Sequence, residues 1–312
     1  MNHEFDAIAK LFQQRTPLQH PTTRIGNGDD ASTHEIPQGF ELVISTDTAV
    51  QGVHWPHNMG LDIAGNRAIQ AALSDLAAMG AKPAWLWLSI MATNEHDLQQ
   101  MSHGIVQACQ QQAVELAGGD TVTSPTNAIN VTVGGLIQKN KAMRRNNAVI
   151  DDDVWLFGDV GLSAAGLNQW LDGEHDGTFV PHFQDILPQL EQSQSLIDLA
   201  IKCCIDISDG LLQDAGHIAK ASQVGIIINI ENIKLLPSYA KLQHLGDEQV
   251  LKHILSGGED YALLFTAPAK HQLTLSQLGA FKLGHCAQGS SVHLCYDGKT
   301  IDYNIKGFDH FA

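Results

Sequence analysis

The sequence predicts two mixed α/β domains. Three observations favour this class: the chain has 312 residues, 44% of them are hydrophobic, and strand-like apolar runs alternate with helical patterns in both halves. A chain of this length exceeds what one hydrophobic core usually serves. A polar stretch at 139–153 separates the halves, so we expect domains at 1–140 and 141–312.

The elements of the first half follow in chain order from apolar periodicity and stop residues. Strands are predicted at 42–44, 84–91 and 130–137, and helices at 62–79 and 102–115. The first strand is predicted to end at Ser45-Thr46-Asp47, as a strand ends at a site. The Ala-rich helix at 62–79 is predicted to stop at Gly80.

The second half continues the alternation of strands and helices. Strands are predicted at 154–157, 203–207, 226–230 and 261–266, and helices at 163–171, 189–200 and 210–222. We therefore expect an α/β architecture in this half as well.

The charge balance limits the classes of partner. With 18 Lys and Arg against 34 Asp and Glu, the formal net charge is −16. Nucleic acid is not expected as a partner, because phosphate contacts need clustered basic side chains. No run approaches the ~20 apolar residues of a membrane span. The N-terminus lacks a signal-peptide pattern, and five cysteines without a C-x-x-C pair favour the reducing cytoplasm.

Several short segments place a carboxylate beside Gly, Ser or Thr, where an apolar run meets another element. They are Gly28-Asp29-Asp30, Ser45-Thr46-Asp47, Gly118-Gly119-Asp120-Thr121, Asp206-Ile207-Ser208-Asp209-Gly210 and Gly257-Gly258-Glu259-Asp260. Each one alone has an ordinary interpretation as a turn or a helix N-cap. Their recurrence favours a shared site.

Asp75 differs, because it lies inside the Ala-rich helix, which is apolar almost all round. A buried carboxylate without a partner costs several kcal/mol. The nearest basic residues in sequence, Arg67 and Lys82, are not at the i±3 or i±4 spacing of one helical face. Tertiary pairing stays open, and a metal ion is the economical alternative.

This set of carboxylates suits a hard cation. Mg²⁺ takes oxygen ligands and usually bridges carboxylates to substrate phosphates. Neighbouring glycines let backbone N–H groups approach phosphate oxygens closely. The sequence contains neither a G-x-x-x-x-G-K-[ST] loop nor a G-x-G-x-x-G opening a helix, and no protein-kinase signatures. Any ATP site must therefore be built in another way.

Taken together, the motifs resemble the thiamine-monophosphate kinase family. The matching segments are Gly-Asn-Gly-Asp-Asp-Ala (26–31), Ile-Ser-Thr-Asp-Thr (44–48), Gly-Val-His-Trp (52–55), Leu-Ser-Asp-Leu-Ala-Ala-Met-Gly-Ala (73–81), Gly-Gly-Asp-Thr (118–121), Ile-Asp-Ile-Ser-Asp-Gly-Leu (205–211), Ser-Gly-Gly-Glu-Asp-Tyr (256–261) and Gly-Phe-Asp-His-Phe (307–311). Their order and spacing hold along almost the whole chain.

The resemblance implies a two-domain (PurM-like) fold shared with aminoimidazole ribonucleotide synthetase. It implies that the N-terminal domain binds ATP and Mg²⁺ and forms a β-barrel across a homodimer, with a C-terminal α/β domain. The implied reaction is phosphorylation of thiamine monophosphate by ATP to thiamine diphosphate. Transfer is direct and in line, assisted by several Mg²⁺ ions, with no catalytic side chain beyond positioning groups.

The resemblance also implies site residues, position by position. Metal ligands are expected at Asp30, Ser45, Thr46, Asp47, Asp75, Asp120 and Asp206, with Asp209 at a more peripheral ion. ATP contacts are expected at Gly119, Asp120, Arg145 and Ser208, and contacts to thiamine monophosphate at His54, Glu259 and Phe308. Phe308 could stack on a flat cationic ring whose charge Glu259 offsets. His54 and Phe308 also have ordinary interpretations, as a loop histidine and a packing residue.

Two alternatives stay open at this point. One is an aminoimidazole ribonucleotide synthetase-like enzyme, which Ser-Gly-Gly-Glu-Asp-Tyr and the C-terminal aromatic residue disfavour. The other is a metal- or nucleotide-binding protein without turnover. It is kept open by the segment after Arg145, which lacks the Gly and Lys that family members carry there, and by the missing basic residues near 185–190.

Overall fold

The computed structural model describes residues 9–13 and 19–301. The chain divides into two compact units. The first comprises the residues up to Leu76 together with Ala81–Asn140, and the second comprises Ala77–Gly80 and the residues from Lys141 onward. Among the described residues, none of the helices is long and apolar enough to cross a membrane.

The first unit is built on a four-stranded sheet with a small hairpin beside it. Its strands are β1 (Thr23–Ile25), β2 (Thr33–His34), β3 (Phe40–Val50), β4 (Lys82–Ala92), β5 (Glu115–Thr123) and β6 (Ala128–Gln138). Strands β1 and β2 form the antiparallel hairpin, and the sheet has the order β3-β6-β4-β5. Only β4 and β5 run parallel. A short π-helical turn spans Ala9–Gln13.

One face of this sheet is covered, and its inward residues include Val43, Leu88 and Val131. Helix α1 (Leu61–Met79) contacts this face through Asp75, to which the Ser45 hydroxyl on β3 donates. We call this the helix face of the sheet. It is the face that holds the apolar core of the unit.

Helix α1 packs tightly against helix α2 (Glu95–Gln111), and glycine makes the close approach possible. A Cβ placed on Gly104 would lie 1.7 Å from the Asp62 carbonyl oxygen, and one on Gly65 would lie 2.3 Å from the Met101 carbonyl oxygen. Both distances are far below van der Waals contact. The path of α1, and with it the place of Asp75, depends on these two small residues.

The opposite face of the sheet is partly open. Leu42, Ile44 and Val122 on this face are 41%, 59% and 48% exposed. The β1–β2 hairpin covers the part of the face at Trp85 and Trp87. We call this the open face.

The second unit is a seven-stranded sheet with helices. Its strands are β7 (Asp153–Phe157), β8 (Cys203–Asp206), β9 (Gly225–Asn229), β10 (Leu263–Ala267), β11 (Phe281–Ala287), β12 (Val292–Tyr296) and β13 (Lys299–Ile301). The order is β13-β12-β9-β11-β7-β10-β8, and only β9 and β12 pair in parallel.

Helices cover both faces of this sheet. They are α3 (Leu162–Leu171), α4 (Val180–Gln184), α5 (Leu190–Asp198), α6 (Leu211–Ser222), α7 (Ile230–Ile233), α8 (Pro237–Leu242), α9 (Asp247–Ser256) and α10 (Gln272–Gln277). Along β7, Val154 and Leu156 belong to one buried cluster, and Trp155 and Phe157 to another. The strand is therefore buried on both sides, which explains its unbroken apolar sequence.

The mixed α/β class is confirmed, and so are all twelve elements predicted from apolar periodicity, to within a few residues for most of them. Three boundaries were wrong. Strand β3 does not end before Ser45 but continues to Val50, because alternating Thr and Ser suit a half-exposed strand. The helix predicted at 102–115 is α2, which begins earlier, at Glu95, and ends earlier, at Gln111, and Glu115 instead opens β5.

Candidate functional site

Ser45, Asp47 and Asp75 lie on the helix face of the first unit. The Ser45 hydroxyl donates to Asp75 Oδ2 at 2.5 Å, and strand alternation puts Asp47 on the same face as Ser45. Asp75 is half-buried rather than fully buried. The hydroxyl of Ser45 is thus one partner of Asp75 that sequence spacing did not identify.

The side chain of Thr46 lies on the open face, where its hydroxyl is 2.5 Å from that of Thr132. Strand register also separates Asp120 from Asp47. Across the four strands, Asp120 is aligned with Ser89, Asn130 and Thr48. Asp47 is aligned with Gly119, the residue before Asp120. Three inter-strand spacings, about 14 Å, separate β3 from β5. The structure therefore brings Ser45, Asp47 and Asp75 together but does not add Thr46 or Asp120 to that group.

Asp30 lies in the loop of the β1–β2 hairpin. Its backbone N–H donates to Asp29 Oδ1 at 2.8 Å, and Asn27 forms an isolated bridge with Asp29. Gly28 has a φ of 123°, which only glycine adopts without strain. Both carboxylates are exposed, so the loop presents them to solvent.

A pocket that is partly open to solvent lies beside β5, an edge strand of the sheet. It is lined by Phe12, Asn27, Leu88, Ile90, Leu116, Gly118, Gly119, Asp120 and Thr121. An apolar wall with a few polar groups is typical of a small-molecule pocket. A Cβ on Gly119 would lie 2.5 Å from the Leu88 carbonyl oxygen, so this position requires glycine. Two of the predicted ATP contacts, Gly119 and Asp120, therefore border one pocket.

His54 lies in the turn that follows β3. Its Nδ1 accepts a hydrogen bond from the Val50 N–H at 3.1 Å, which places the ring proton on Nε2. Gly52, with a φ of 81°, makes the turn possible. The ring is half-buried and held in one orientation.

In the second unit, two loops are joined by backbone hydrogen bonds. The loop after β8 carries Ser208 and Asp209, and the loop before β10 carries Glu259. The Glu259 N–H donates to the Ser208 carbonyl at 2.8 Å, and the Tyr261 N–H donates to that of Ile207 at 2.8 Å. A Cβ on Gly258 would lie 2.3 Å from the Ser208 oxygen. Four of the predicted site residues, including Asp206 at the end of β8, are thus brought together.

Glu259 has a strained backbone. Its φ is 65°, and that of Tyr261 is 52°, in a region that favours glycine. The Tyr261 hydroxyl donates to Glu259 Oε2 at 3.2 Å. Between them, Asp260 accepts from the Gly161 and Ser163 N–H groups at the start of α3. Burial raises the pKa of the Asp260 carboxyl to about 8, against the lowering effect of those two donors. Strain of this kind clusters at functional sites.

Asp214 and His217 on α6 were not identified from the sequence. Among residues 9–13 and 19–301, they form with Asp209 one group whose ligand atoms all lie within 4.8 Å of one another. The buried Asp214 accepts from the Ser208 and Asp209 N–H groups, and burial, with the nearby charges of Asp206 and Asp209, raises the pKa of its carboxyl to about 7. A sequence signal for them exists: Asp214 and His217 are three residues apart on a helix that directly follows Ser208-Asp209-Gly210.

Two predicted site residues are not brought into these groups. The Arg145 carbonyl accepts from Ser222 at the C-terminal end of α6, whereas Ser208 precedes the N-terminal end of this 12-residue helix, about 18 Å away along its axis. Phe308 lies outside the described residues.

The donor sets suit magnesium. Ser45, Asp47 and Asp75 offer only hydroxyl and carboxylate oxygens, which are the ligands that Mg²⁺ prefers. Burial and, after it, the nearby charges of Asp206 and Asp209 raise the pKa of Asp214, and a divalent cation would offset the repulsion among these carboxylates. The residues present therefore fit such an ion in each unit.

Comparison with known proteins first defines the class. The family model "AIR synthase related protein, N-terminal domain" matches residues 28–137, which include the whole four-stranded sheet apart from Gln138. A thiamine-monophosphate kinase of Escherichia coli K12 is 36% identical, over 99% of this chain and 98% of its own length. The chain therefore belongs to the thiamine-monophosphate kinase family.

Solved structures agree with this assignment. The crystal structure of thiamine-monophosphate kinase from Stenotrophomonas maltophilia K279a superposes with a TM-score of 0.84 at 30% identity, covering 95% of this chain and 97% of its own. A structure described as AaThiL complexed with AMPPCP and TMP superposes with a TM-score of 0.79 at 26% identity, covering 99% and 96%.

Proposed function

We propose that this chain phosphorylates thiamine monophosphate with ATP, giving thiamine diphosphate and ADP. The observation that carries the proposal is the full-length similarity to thiamine-monophosphate kinases, together with the carboxylate groups at the matching positions. The neighbour described as a complex with AMPPCP and TMP supports both substrates.

We propose further that several Mg²⁺ ions act as cofactors. Ser45, Asp47 and Asp75 would hold ions on the helix face, and Asp30 and Asp120 would hold ions at the hairpin loop and β5. Thr46 remains a proposed ligand. In the second unit, Asp206 would be a ligand, and Asp209 would hold a peripheral ion with Asp214 and His217. When bound, such ions neutralise phosphate charge and orient the transferred group.

The chain's own residues position the substrates in this proposal. ATP contacts Gly119, Asp120, Arg145 and Ser208. His54, Glu259 and Phe308 contact thiamine monophosphate, with the His54 Nε2–H as a donor and the Glu259 carboxylate opposite the cationic ring. The segment 1–140 is then the ATP- and Mg²⁺-binding and dimerisation domain, and 141–312 is the C-terminal domain.

A homodimer with a shared β-barrel fits the open face of the first unit. Leu42, Ile44 and Val122 are exposed there, and a second copy would remove this apolar area from water. Ile44→Lys should then convert a dimer into a monomer in sedimentation experiments, whereas Leu273→Lys, on an exposed residue of the second unit, should leave it dimeric.

A cytoplasmic location is part of the proposal. All five cysteines lie in the described residues, and none forms a disulfide, as expected where thiols stay reduced.

The test of the activity is a coupled ADP-release assay with thiamine monophosphate, ATP and Mg²⁺. We expect turnover that requires all three components and that Asp47→Ala abolishes. Turnover by the wild-type chain no higher than that of Asp47→Ala would contradict the kinase proposal.

A further inference from the structure

Glu115 on β5 has no place in the site described so far, yet it is a carboxylate only 3% exposed. Its Oε2 accepts from the His20 N–H and from the Thr23 hydroxyl, each at 2.6 Å. Its Oε1 would lie 3.1 Å from a Cβ on Gly26. A buried carboxylate with these neighbours holds the first strand of the hairpin against β5.

The hydrogen bonds continue from Thr23 across the hairpin. The Trp85 Nε1–H donates to Thr23 Oγ1 at 2.8 Å, and His34 Nδ1 is 3.1 Å from the same oxygen. On the far side of the ring, His34 Nε2 is 2.8 Å from Ser32 Oγ, which accepts from Trp87 Nε1–H at 2.8 Å. Five side chains of the hairpin and the sheet thus form one line from Glu115 to Trp87, with Trp85 bonded to it at Thr23.

Donor and acceptor rules give the direction of the protons at Thr23. A carboxylate accepts and an indole N–H donates, so Thr23 gives its proton to Glu115 and accepts from Trp85 and from His34 Nδ1–H. On a neutral His34 ring, Nε2 then accepts from Ser32. Burial lowers the pKa of His34, which favours the neutral ring, although Glu115 acts in the opposite direction.

The line ends at both sides of the loop that carries Asp30. At the start of the loop, Glu115 Oε1 occupies the space beside Gly26 where a Cβ would lie 3.1 Å from it, and at the end of the loop Ser32 is hydrogen-bonded to Trp87 and His34. Glu115 also lies on the strand that carries Asp120, five residues earlier. A single buried carboxylate therefore sets the position of the Asp30 loop relative to β5.

We propose that Glu115, acting through Thr23 and His34, is a positioning residue for the metal ligand Asp30. The inference rests on the proposed function for Asp30 as a ligand. It predicts that disturbing the line weakens metal binding at Asp30 while the remaining machinery stays in place. Outer partners that orient metal ligands commonly change metal affinity by about 10- to 100-fold.

The test compares Glu115→Ala, which removes the acceptor of the His20 N–H and the Thr23 hydroxyl, and Thr23→Val with two matched controls in the full chain. Thr23→Ser keeps the hydroxyl, and Glu35→Gln removes one carboxylate from the same segment, where Glu35 pairs with Arg24 at the surface. Mn²⁺ binding is titrated by electron paramagnetic resonance, with Asp30→Asn identifying the site that belongs to Asp30. The Mg²⁺ concentration for half-maximal kinase activity and the thermal midpoint are measured in parallel.

We expect Glu115→Ala and Thr23→Val to weaken the Asp30-dependent Mn²⁺ site about tenfold. The Mg²⁺ requirement should rise similarly, with kcat near that of the wild type at saturating Mg²⁺. Both controls should match the wild type. A lower thermal midpoint with unchanged Mn²⁺ affinity and Mg²⁺ requirement would show that the line is merely structural and would overturn the inference.

The two proposals fail in different ways. A wild-type chain that binds Mn²⁺ at Asp30 but shows no turnover contradicts the kinase proposal, and the Mn²⁺ titration of the variants still decides the positioning role. A titration that Asp30→Asn leaves unchanged shows that Asp30 holds no ion, and it overturns the positioning role with it.

Discussion

At the scale of single residues, Asp75 shows how a helix can carry a ligand. Its helix is apolar because it packs in a core, and its carboxylate is tolerated because it accepts from Ser45 and is only half-buried. A carboxylate in an apolar helix does not favour folding, so its presence at this position is consistent with a role in binding.

Asp75→Asn tests this role. We expect a loss of turnover of about 100-fold, because the amide is a poor metal ligand. The free energy of unfolding should change by no more than about 1 kcal/mol, since the amide oxygen still accepts from Ser45. Asp62→Asn, on the exposed first turn of the same helix, is the matched control for steady-state kinetics and urea unfolding. Turnover equal to that of this control would make Asp75 a structural residue.

The positive φ of Glu259 leads to a second prediction. Alanine at this position keeps the strain and glycine relieves it, so Glu259→Gly should be more stable than Glu259→Ala by about 1 kcal/mol. Both variants should raise KM for thiamine monophosphate, because both lose the carboxylate. Urea unfolding and steady-state kinetics measure the two effects separately. An unchanged KM would remove Glu259 from the substrate site.

At the scale of elements, the contact of α1 with α2 fixes the helix that carries Asp75. Gly104→Ala places a methyl group against the α1 backbone and should destabilise the protein by about 1–3 kcal/mol. Gly216→Ala, in α6, meets no atom within 4 Å and should stabilise it by about 0.5–1 kcal/mol. Thermal unfolding compares the pair, and equal midpoints would contradict this account of the packing.

The hairpin predicts a pH dependence of stability. Burial lowers the pKa of His20 and His34 in the folded state, so below about pH 6.5 the unfolded chain binds more protons. The stability that these two histidines contribute is then present above this pH and is lost as the pH falls towards their folded-state pKa values.

His34→Gln checks the sign of this effect. The variant keeps a polar side chain without a titrating ring, so its stability should fall less steeply than that of the wild type between pH 7 and pH 5. His182 and His253, whose pKa values burial also lowers, retain their share. A variant curve as steep as that of the wild type would show that His34 does not contribute.

The helices and strands that were predicted correctly share a clear apolar period. Helix α1 and strand β7 are examples, because each is buried on most sides. The strands β11, β12 and β13 were not predicted, since their burial alternates irregularly and β11 and β12 also pair with strands that are distant in sequence. Glu115 was assigned to a helix because only the tertiary fold shows that a charged residue there has buried partners.

At the scale of the whole molecule, sequence motifs indicated acidic metal-binding residues but not how these residues are distributed over the sheet faces and loops. Of the carboxylates beside glycines, Asp209 and Glu259 lie in loops next to strands as expected, whereas Asp120 lies inside β5. Local sequence could not show that Asp47 and Asp120 occupy opposite faces of one sheet, because this depends on the register across four strands. Nor could it show that Gly258 joins the two loops of the second unit, which depends on a close contact between distant segments.

The net negative charge of the chain bears on which partners it can bind. With a net charge of −16, nucleic acid is not an expected partner, and the grouped carboxylates of each unit would repel a polyphosphate unless cations lie between them. We therefore predict that the proposed kinase activity depends on Mg²⁺ from the first binding step.

Transfer of label from [γ-³²P]ATP tests this account most directly. The purified chain is incubated with labelled ATP, thiamine monophosphate and Mg²⁺, and the products are separated. We predict Mg²⁺-dependent label in thiamine diphosphate, which Asp47→Ala abolishes. Label that remains in ATP, or appears only as inorganic phosphate at the rate seen without thiamine monophosphate, would contradict the assignment of this chain as a kinase.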